Sequence, residues 1–107
     1  MPYYLIQASY KESAAKALIA RPHDRSAVVK KMLESLGGKL HSFFLAFGDY
    51  DVVAIVEAPD NASAVAAGLA TVSGGAISKY KTTVLISPQE AVSAMKKAKK
   101  IAYTPPK

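Results

Sequence analysis

The chain has 107 residues, 50% of them hydrophobic and 21% charged, which is typical of one soluble globular domain. It lacks cysteine, which excludes disulfides, thiolate metal sites and cysteine nucleophiles. The net charge of +6 resembles that of nucleic-acid-binding proteins, but five of the lysines follow residue 95, and residues 1–95 carry 9 basic and 8 acidic groups. With a nearly neutral body, no secretion signal and no apolar run of ~20 residues, we expect a cytoplasmic protein that does not contact membranes.

The first third of the chain predicts one strand and two helices. Residues 3–9 are aromatic and aliphatic, as in a strand, and residues 11–20 suit a short helix. A second helix is predicted from Asp24, its N-cap, to the stop signal Gly37-Gly38. The apolar stripe of this helix consists of Val28, Val29, Met32, Leu33 and Leu36.

Residues 39–47 and 51–58 predict two further strands, which are separated by only about three residues. A connection this short requires an antiparallel hairpin with its turn at Gly48, Asp49 and Tyr50. We expect Gly48 to supply the positive φ that tight turns need, and Asp49 to bond the turn backbone.

The register of this hairpin has two alternatives. A two-residue loop places Phe47 opposite Tyr50, whereas a three-residue loop places Phe47 opposite Asp51 and His41 opposite Glu57.

The last part of the chain predicts a helix, a strand and a final helix. Asp60 is the predicted cap of a helix rich in small residues that Gly74-Gly75 ends. We expect its inward-facing residues to be Val65, Leu69 and Val72. A strand follows over 76–86. Ser87-Pro88-Gln89-Glu90 then carries the strongest helix-start signal in the chain, with a serine cap, a proline at the first helical position and a glutamate three residues after the cap.

The order strand, helix, strand, strand, helix, strand predicts an α+β, ferredoxin-like βαββαβ fold with a four-stranded antiparallel sheet and an extra C-terminal helix. We expect residues 1–87 to form the domain and residues 88–107 to form a basic helix and tail. The runs FFLAF and VVAIV have no polar alternation, which indicates strands covered on both faces, yet the helices suffice for one face. We therefore expect a second copy to cover the other face in a homodimer or higher homo-oligomer.

The segment FGDYD followed by VVAIV, with SLGGKL before it and AP-D after it, resembles the GYD domain family over roughly residues 3–88. The resemblance implies a dimeric α/β barrel in which two sheets meet face to face. It implies no particular reaction, because relatives by fold include cofactor-independent monooxygenases, lactone isomerases and haem proteins.

The candidate site residues each have a functional and a structural interpretation. The catalytic candidates are Tyr50, Asp51 and His41, and the candidates for ligand binding are Asp49, Tyr50, His41, Phe43 and Tyr3. The carboxylates and the phenol of the hairpin also suit a turn. The tyrosines can line an apolar binding cavity or fill core and interface, the second being favoured: Tyr3, Tyr4, Tyr10, Tyr50, Tyr80 and Tyr103.

Metal and nucleic-acid sites are not favoured by the sequence. His23 and His41 have no ligand-like partner at helical spacing, so neither a metal nor another cofactor is predicted. The lysines of KKAKK lack interleaved arginines and aromatic residues, which favours the solvated face of a terminal helix over a nucleic-acid contact.

The sequence thus favours a small homo-oligomeric protein that binds a small apolar or aromatic molecule in a cleft between sheet and helices. The first alternative is an enzyme of the cofactor-independent monooxygenase or isomerase kind. The second alternative is a structural protein whose C-terminal helix joins neighbouring dimers.

Overall fold

The chain forms four strands and four helices in a computed structural model that covers residues 1–107. In chain order they are β1 (Tyr3–Tyr10), α1 (Glu12–Ala20), α2 (Ser26–Ser35), β2 (Lys39–Leu45), β3 (Val52–Glu57), α3 (Asn61–Ser73), β4 (Ile77–Leu85) and α4 (Pro88–Lys99). The strands pair into one antiparallel sheet in the order β2-β3-β1-β4. The predicted ferredoxin-like α+β fold is confirmed.

The core lies on the face of the sheet that packs against the helices. Its buried cluster consists of Tyr4, Leu33, Ala54, Val56, Ala58 and Ala64. Along β3 the side chains alternate, since Val52, Ala54 and Val56 are buried whereas Val53 and Ile55 point to the other face and stay partly exposed. We call that second, helix-free face the open face of the sheet.

The predicted helix caps are largely confirmed. Asp60 Oδ1 accepts a hydrogen bond from the Ser63 backbone N–H at 2.8 Å, and Ser87 Oγ accepts one from the Glu90 N–H at 3.1 Å. Asp24 Oδ1 accepts from the Ser26 N–H at 2.8 Å, but the residue that flanks α2 is Arg25, so this helix begins one residue later than its predicted cap requires.

The predicted inward face of α3 is wrong. Val65, Leu69 and Val72 are 59%, 67% and 45% exposed. The residues that α3 buries are Ala64, Ala67 and Gly68. A Cβ atom at position 68 would stand 2.9 Å from Cε1 of Tyr80, so the helix approaches β4 too closely for a larger side chain.

The β2–β3 hairpin has a longer loop than predicted. Leu45 pairs with Val52, and the Ala46 N–H donates to the Asp51 carbonyl at 2.8 Å, which leaves the four residues 47–50 in the loop. The register is that of the first alternative, because continuing it would place residue 47 opposite residue 50. The pairing shifts by one residue at His41.

The prediction that Gly48 has a positive φ is wrong, since Gly37 and Gly75 alone do, at 78° and 81°. These two glycines follow α2 and α3, where the sequence predicted left-handed helix ends.

The last helix, α4, extends away from the body. It buries no side chain, and the molecule measures 58 Å along its longest axis against 36 and 22 Å along the others. No helix of the chain is both long enough and apolar enough to cross a membrane.

Candidate functional site

A cavity of about 320 Å³ lies between the sheet and helices α2 and α3. Its walls are almost wholly apolar. The sheet contributes Ile6, Ala8, Phe43, Val52, Ala54 and Val56; the helices contribute Val28, Val29, Met32, Leu33, Ala64, Ala67 and Ala70. The alanines of α3 leave this space unfilled, because the helix comes close to β4 but has no long side chains to insert beside it.

Few polar side chains border the cavity: Tyr10, Arg25, Thr71 and Tyr80. The Thr71 hydroxyl donates to the Ala67 carbonyl at 2.8 Å, so its proton is already used. Arg25 and Tyr10 also border a second, adjoining hollow of about 380 Å³, which is lined by further polar residues. They therefore lie where the apolar cavity meets a more polar one.

The two phenols of the cavity are held in their neutral form at ordinary pH. Burial raises the pKa of Tyr10, an effect that the nearby Arg25 charge opposes and the Asp51 charge reinforces. Burial also raises the pKa of Tyr80, and a hydrogen bond with Thr82 opposes it. A neutral phenol can both donate and accept a hydrogen bond, so each ring offers an apolar body with one polar atom.

A second group of polar residues lies on the open face of the sheet. His41 Nε2 is 2.6 Å from Glu57 Oε2, and the rings of His41 and Tyr3 have centroids 5.2 Å apart. Glu57 pairs with Lys39 in the strand ladder, and the bulge in β2 lies at His41. The bulge brings the His41 side chain within reach of the Glu57 carboxylate. The sheet separates this group from the cavity.

The hairpin residues have mainly structural contacts. Asp51 Oδ2 accepts from the Tyr10 N–H at 2.9 Å, and the Asp51 N–H donates to the Ala8 carbonyl at 2.9 Å, so Asp51 joins the end of β1 to the hairpin. The Tyr50 ring lies 5.7 Å from Lys79 Nζ, a cation–π contact. Asp49 is exposed, and its carbonyl accepts from Ser9 Oγ at 3.4 Å.

The residues singled out from the sequence do not converge on one site. Phe43 lines the cavity, Tyr3 and His41 lie together on the open face, and Asp49 and Tyr50 lie in the hairpin loop. Of the two histidines, His23 borders the second hollow, and no group of three His, Asp or Glu side chains is arranged to hold a metal ion.

Sequence reasoning missed Arg25 and Met32 as members of a site, whereas the lining includes Tyr10 and Tyr80 from the tyrosines that the sequence offers for a cavity. Tyr10 lies one residue beyond the predicted strand 3–9, and extending the alternation of that strand by one residue would have placed it on the same face as Ile6 and Ala8. No local signal brings Arg25 to that strand, because the contact depends on how α2 packs on the sheet.

The fold and the cavity define a ferredoxin-like α+β domain with an internal apolar cleft. The GYD domain family matches residues 4–95, and the chain belongs to this family. The match runs into α4, further than the resemblance seen in the sequence. No curated protein matches the chain.

Two solved structures share the fold at low sequence identity. The transcriptional regulator NMB0573 of Neisseria meningitidis, in complex with L-Met, is 17% identical, with a TM-score of 0.59 over 81% of this chain. MtbAldR is 16% identical, with a TM-score of 0.55 over 80% of this chain. The chain spans about half the length of each, 51% and 52% respectively, so the likeness concerns the domain fold alone.

Proposed function

We propose that this protein is a homodimeric binding protein for a small, largely apolar molecule, which occupies the cavity between the sheet and helices α2 and α3. The cavity carries the proposal. Its volume of about 320 Å³ falls in the range of small-molecule sites, and its apolar walls with a few polar groups have the composition of such sites.

The structural comparison supports small-molecule binding through the shared domain fold alone. The L-Met complex belongs to the Neisseria regulator, and it shows that a protein containing a domain of this fold binds a small organic molecule. The ligand of the present chain has to be argued from its own cavity.

The open face of the sheet supports the dimer. Leu5, Val53 and Ile55 lie at its centre and are only partly covered, and Phe44 beside them is 65% exposed. An apolar sheet face of this kind is stabilised when another surface covers it, and an identical face around a two-fold axis is complementary in composition. The dimer would leave the cavity free, because the cavity lies on the other side of the sheet.

Filling the cavity tests the binding function. Native mass spectrometry of freshly purified protein shows whether a non-protein mass is retained, and we expect it on the wild type. In Ala67→Leu the added atoms enter the cavity, so we expect the retained mass to disappear. Ala66→Leu makes the same change at an exposed position of α3 and should retain it. Equal retention by both variants would contradict binding in the cavity.

The enzymatic alternative has one supporting observation, the short His41–Glu57 contact beside Tyr3. A carboxylate that orients an imidazole is a common arrangement for proton transfer. This alternative requires a small-molecule extract to change in composition with wild-type protein and to stay unchanged with a folded His41→Gln variant.

A further inference from the structure

The cavity has one charged side chain in its lining, and that side chain is a cation. Arg25 is half-buried, and the remaining polar members of the lining are hydroxyl groups. No aspartate or glutamate lines the cavity. A ligand that fills the apolar part therefore meets a positive charge at one end and no negative charge elsewhere in the cavity.

The guanidinium of Arg25 has no carboxylate partner within the chain. The ion pairs of the protein are Lys16–Glu12 and His41–Glu57, and no carboxylate oxygen lies within 4.0 Å of Arg25. Its side-chain hydrogen bond is to His23 Nε2, at 3.3 Å. Since a guanidinium carries five N–H donors, most of them stay available for an external acceptor.

The two carboxylates near this end of the cavity are already engaged. Asp24 Oδ1 accepts from both the N–H and the hydroxyl of Ser26, at 2.8 and 2.6 Å. Asp51 Oδ2 accepts from the Tyr10 N–H at 2.9 Å. Asp24 lines the adjoining hollow and keeps its negative charge, but neither carboxylate has an oxygen within 4.0 Å of an Arg25 nitrogen, so the guanidinium has no direct counter-ion.

The position of Arg25 sets the orientation of a ligand. Arg25, Tyr10 and Phe43 border both the apolar cavity and the adjoining, more polar hollow. A molecule with an apolar body and an acidic group can keep its body among the alanines and valines and present the acid at this boundary. There it can accept from the guanidinium and from the Tyr10 hydroxyl.

We propose that the ligand is an organic anion with an apolar body, in the simplest case a monocarboxylate, whose acidic group pairs with Arg25 while its body fills the cavity. This inference rests on the proposed binding function and adds the charge of the ligand and the residue that selects it. An arginine suits this role because its planar donors match the two oxygens of a carboxylate.

The test compares octanoate, octanol and octylamine, which share one alkyl chain and differ in the charge of the head group. Each is titrated into isotopically labelled protein at neutral pH, and the backbone amide shifts of cavity residues give both the location and the affinity. We expect octanoate to bind at least about tenfold more tightly than octanol, and octylamine to bind most weakly.

Two arginine variants make the test specific. Arg25→Gln should weaken octanoate binding at least about tenfold and leave octanol binding within about twofold of the wild type. Arg21→Gln removes the same charge from an exposed position that does not line the cavity, and all three affinities should stay unchanged. The comparison of head groups on the wild type does not depend on either variant folding.

The outcomes separate the two proposals. Equal affinities for the three compounds in the wild type, or an undiminished preference for octanoate in Arg25→Gln, would overturn the anionic ligand and leave the binding function standing. If none of the three shifts a cavity residue, the binding function itself fails, and the anionic ligand fails with it.

Discussion

Tyr4 shows how one buried phenol couples stability to pH. Its side chain is 1% exposed, and its hydroxyl donates to Asn61 Oδ1 at 2.6 Å. Burial is the main cause that raises the pKa of Tyr4, and the negative charge of Asp60 raises it further. Because the pKa of Tyr4 is higher in the folded state, the neutral phenol contributes its full stabilisation at any pH below its unfolded-state pKa of about 10. That contribution is lost as the pH rises through the folded-state pKa.

We predict that Tyr4→Phe lowers the free energy of unfolding by about 1 kcal/mol at neutral pH, because one hydrogen bond is lost. The difference from the wild type should shrink above about pH 10, where the wild type alone loses the contribution of this phenol. Urea unfolding at neutral and alkaline pH measures both values. Tyr103→Phe, at an exposed position of the C-terminal tail, should change neither, and a Tyr4→Phe deficit that grows with pH would contradict the assignment.

The residue scale also shows what the sequence could and could not predict of the site. Phe43 was a ligand candidate and lines the cavity, since an aromatic residue in an apolar strand faces one side of a sheet or the other. Arg25 was not a candidate, because its role depends on the packing of α2 over the sheet, which no spacing in the sequence encodes. His41 and Glu57 do meet, but through a bulge that strand patterns do not predict.

At the scale of single elements, the caps were predictable and the packing face of α3 was not. A cap such as Ser87 acts within one turn, so the residues that decide it are adjacent in sequence. The face of α3 depends on its distance from β4. Because Gly68 lies against Tyr80, small residues face the sheet, and the larger Val65 and Leu69 face outward, contrary to the rule that the most hydrophobic stripe is buried.

Helix α4 combines strong local signals with no packing. Ser87, Pro88 and Glu90 favour its start, and lysines in the last turn favour its end. An isolated helix of 12 residues is nevertheless marginal in water, and α4 buries no side chain. We propose on this basis that residues 1–87 form the folding unit, with residues 88–107 as an appendage.

We predict that deleting residues 88–107 leaves the free energy of unfolding within about 0.5 kcal/mol of the full chain and leaves the dimer intact. In the full chain, the amides of α4 should exchange with solvent faster than those of α2 or α3. Urea unfolding, sedimentation and hydrogen exchange measure these properties. A full-length Met95→Lys control interrupts the exposed apolar stripe of α4 without shortening the chain. Loss of assembly in both variants would instead favour a helix that joins neighbouring copies.

For the whole molecule, the central question is what covers the open face of the sheet. Val53 and Ile55 occupy an inner strand, yet they stay partly exposed, whereas the alternate residues of the same strand are buried. An inner strand that is aliphatic on both faces is typical of a sheet covered on both sides. In the proposed dimer, each copy covers the other.

We predict that Val53→Lys converts the dimer to a monomer, because two lysines would be placed without counter-ions in an apolar interface around the two-fold axis. Val65→Lys is the matched control, since it introduces the same side chain at an exposed valine on the outer surface of α3. Sedimentation equilibrium should give twice the chain mass for the wild type and the control, and one chain mass for Val53→Lys. A wild type that sediments as a monomer would show that no surface holds two copies together. A Val53→Lys variant that remains dimeric would show that a surface other than the open face does.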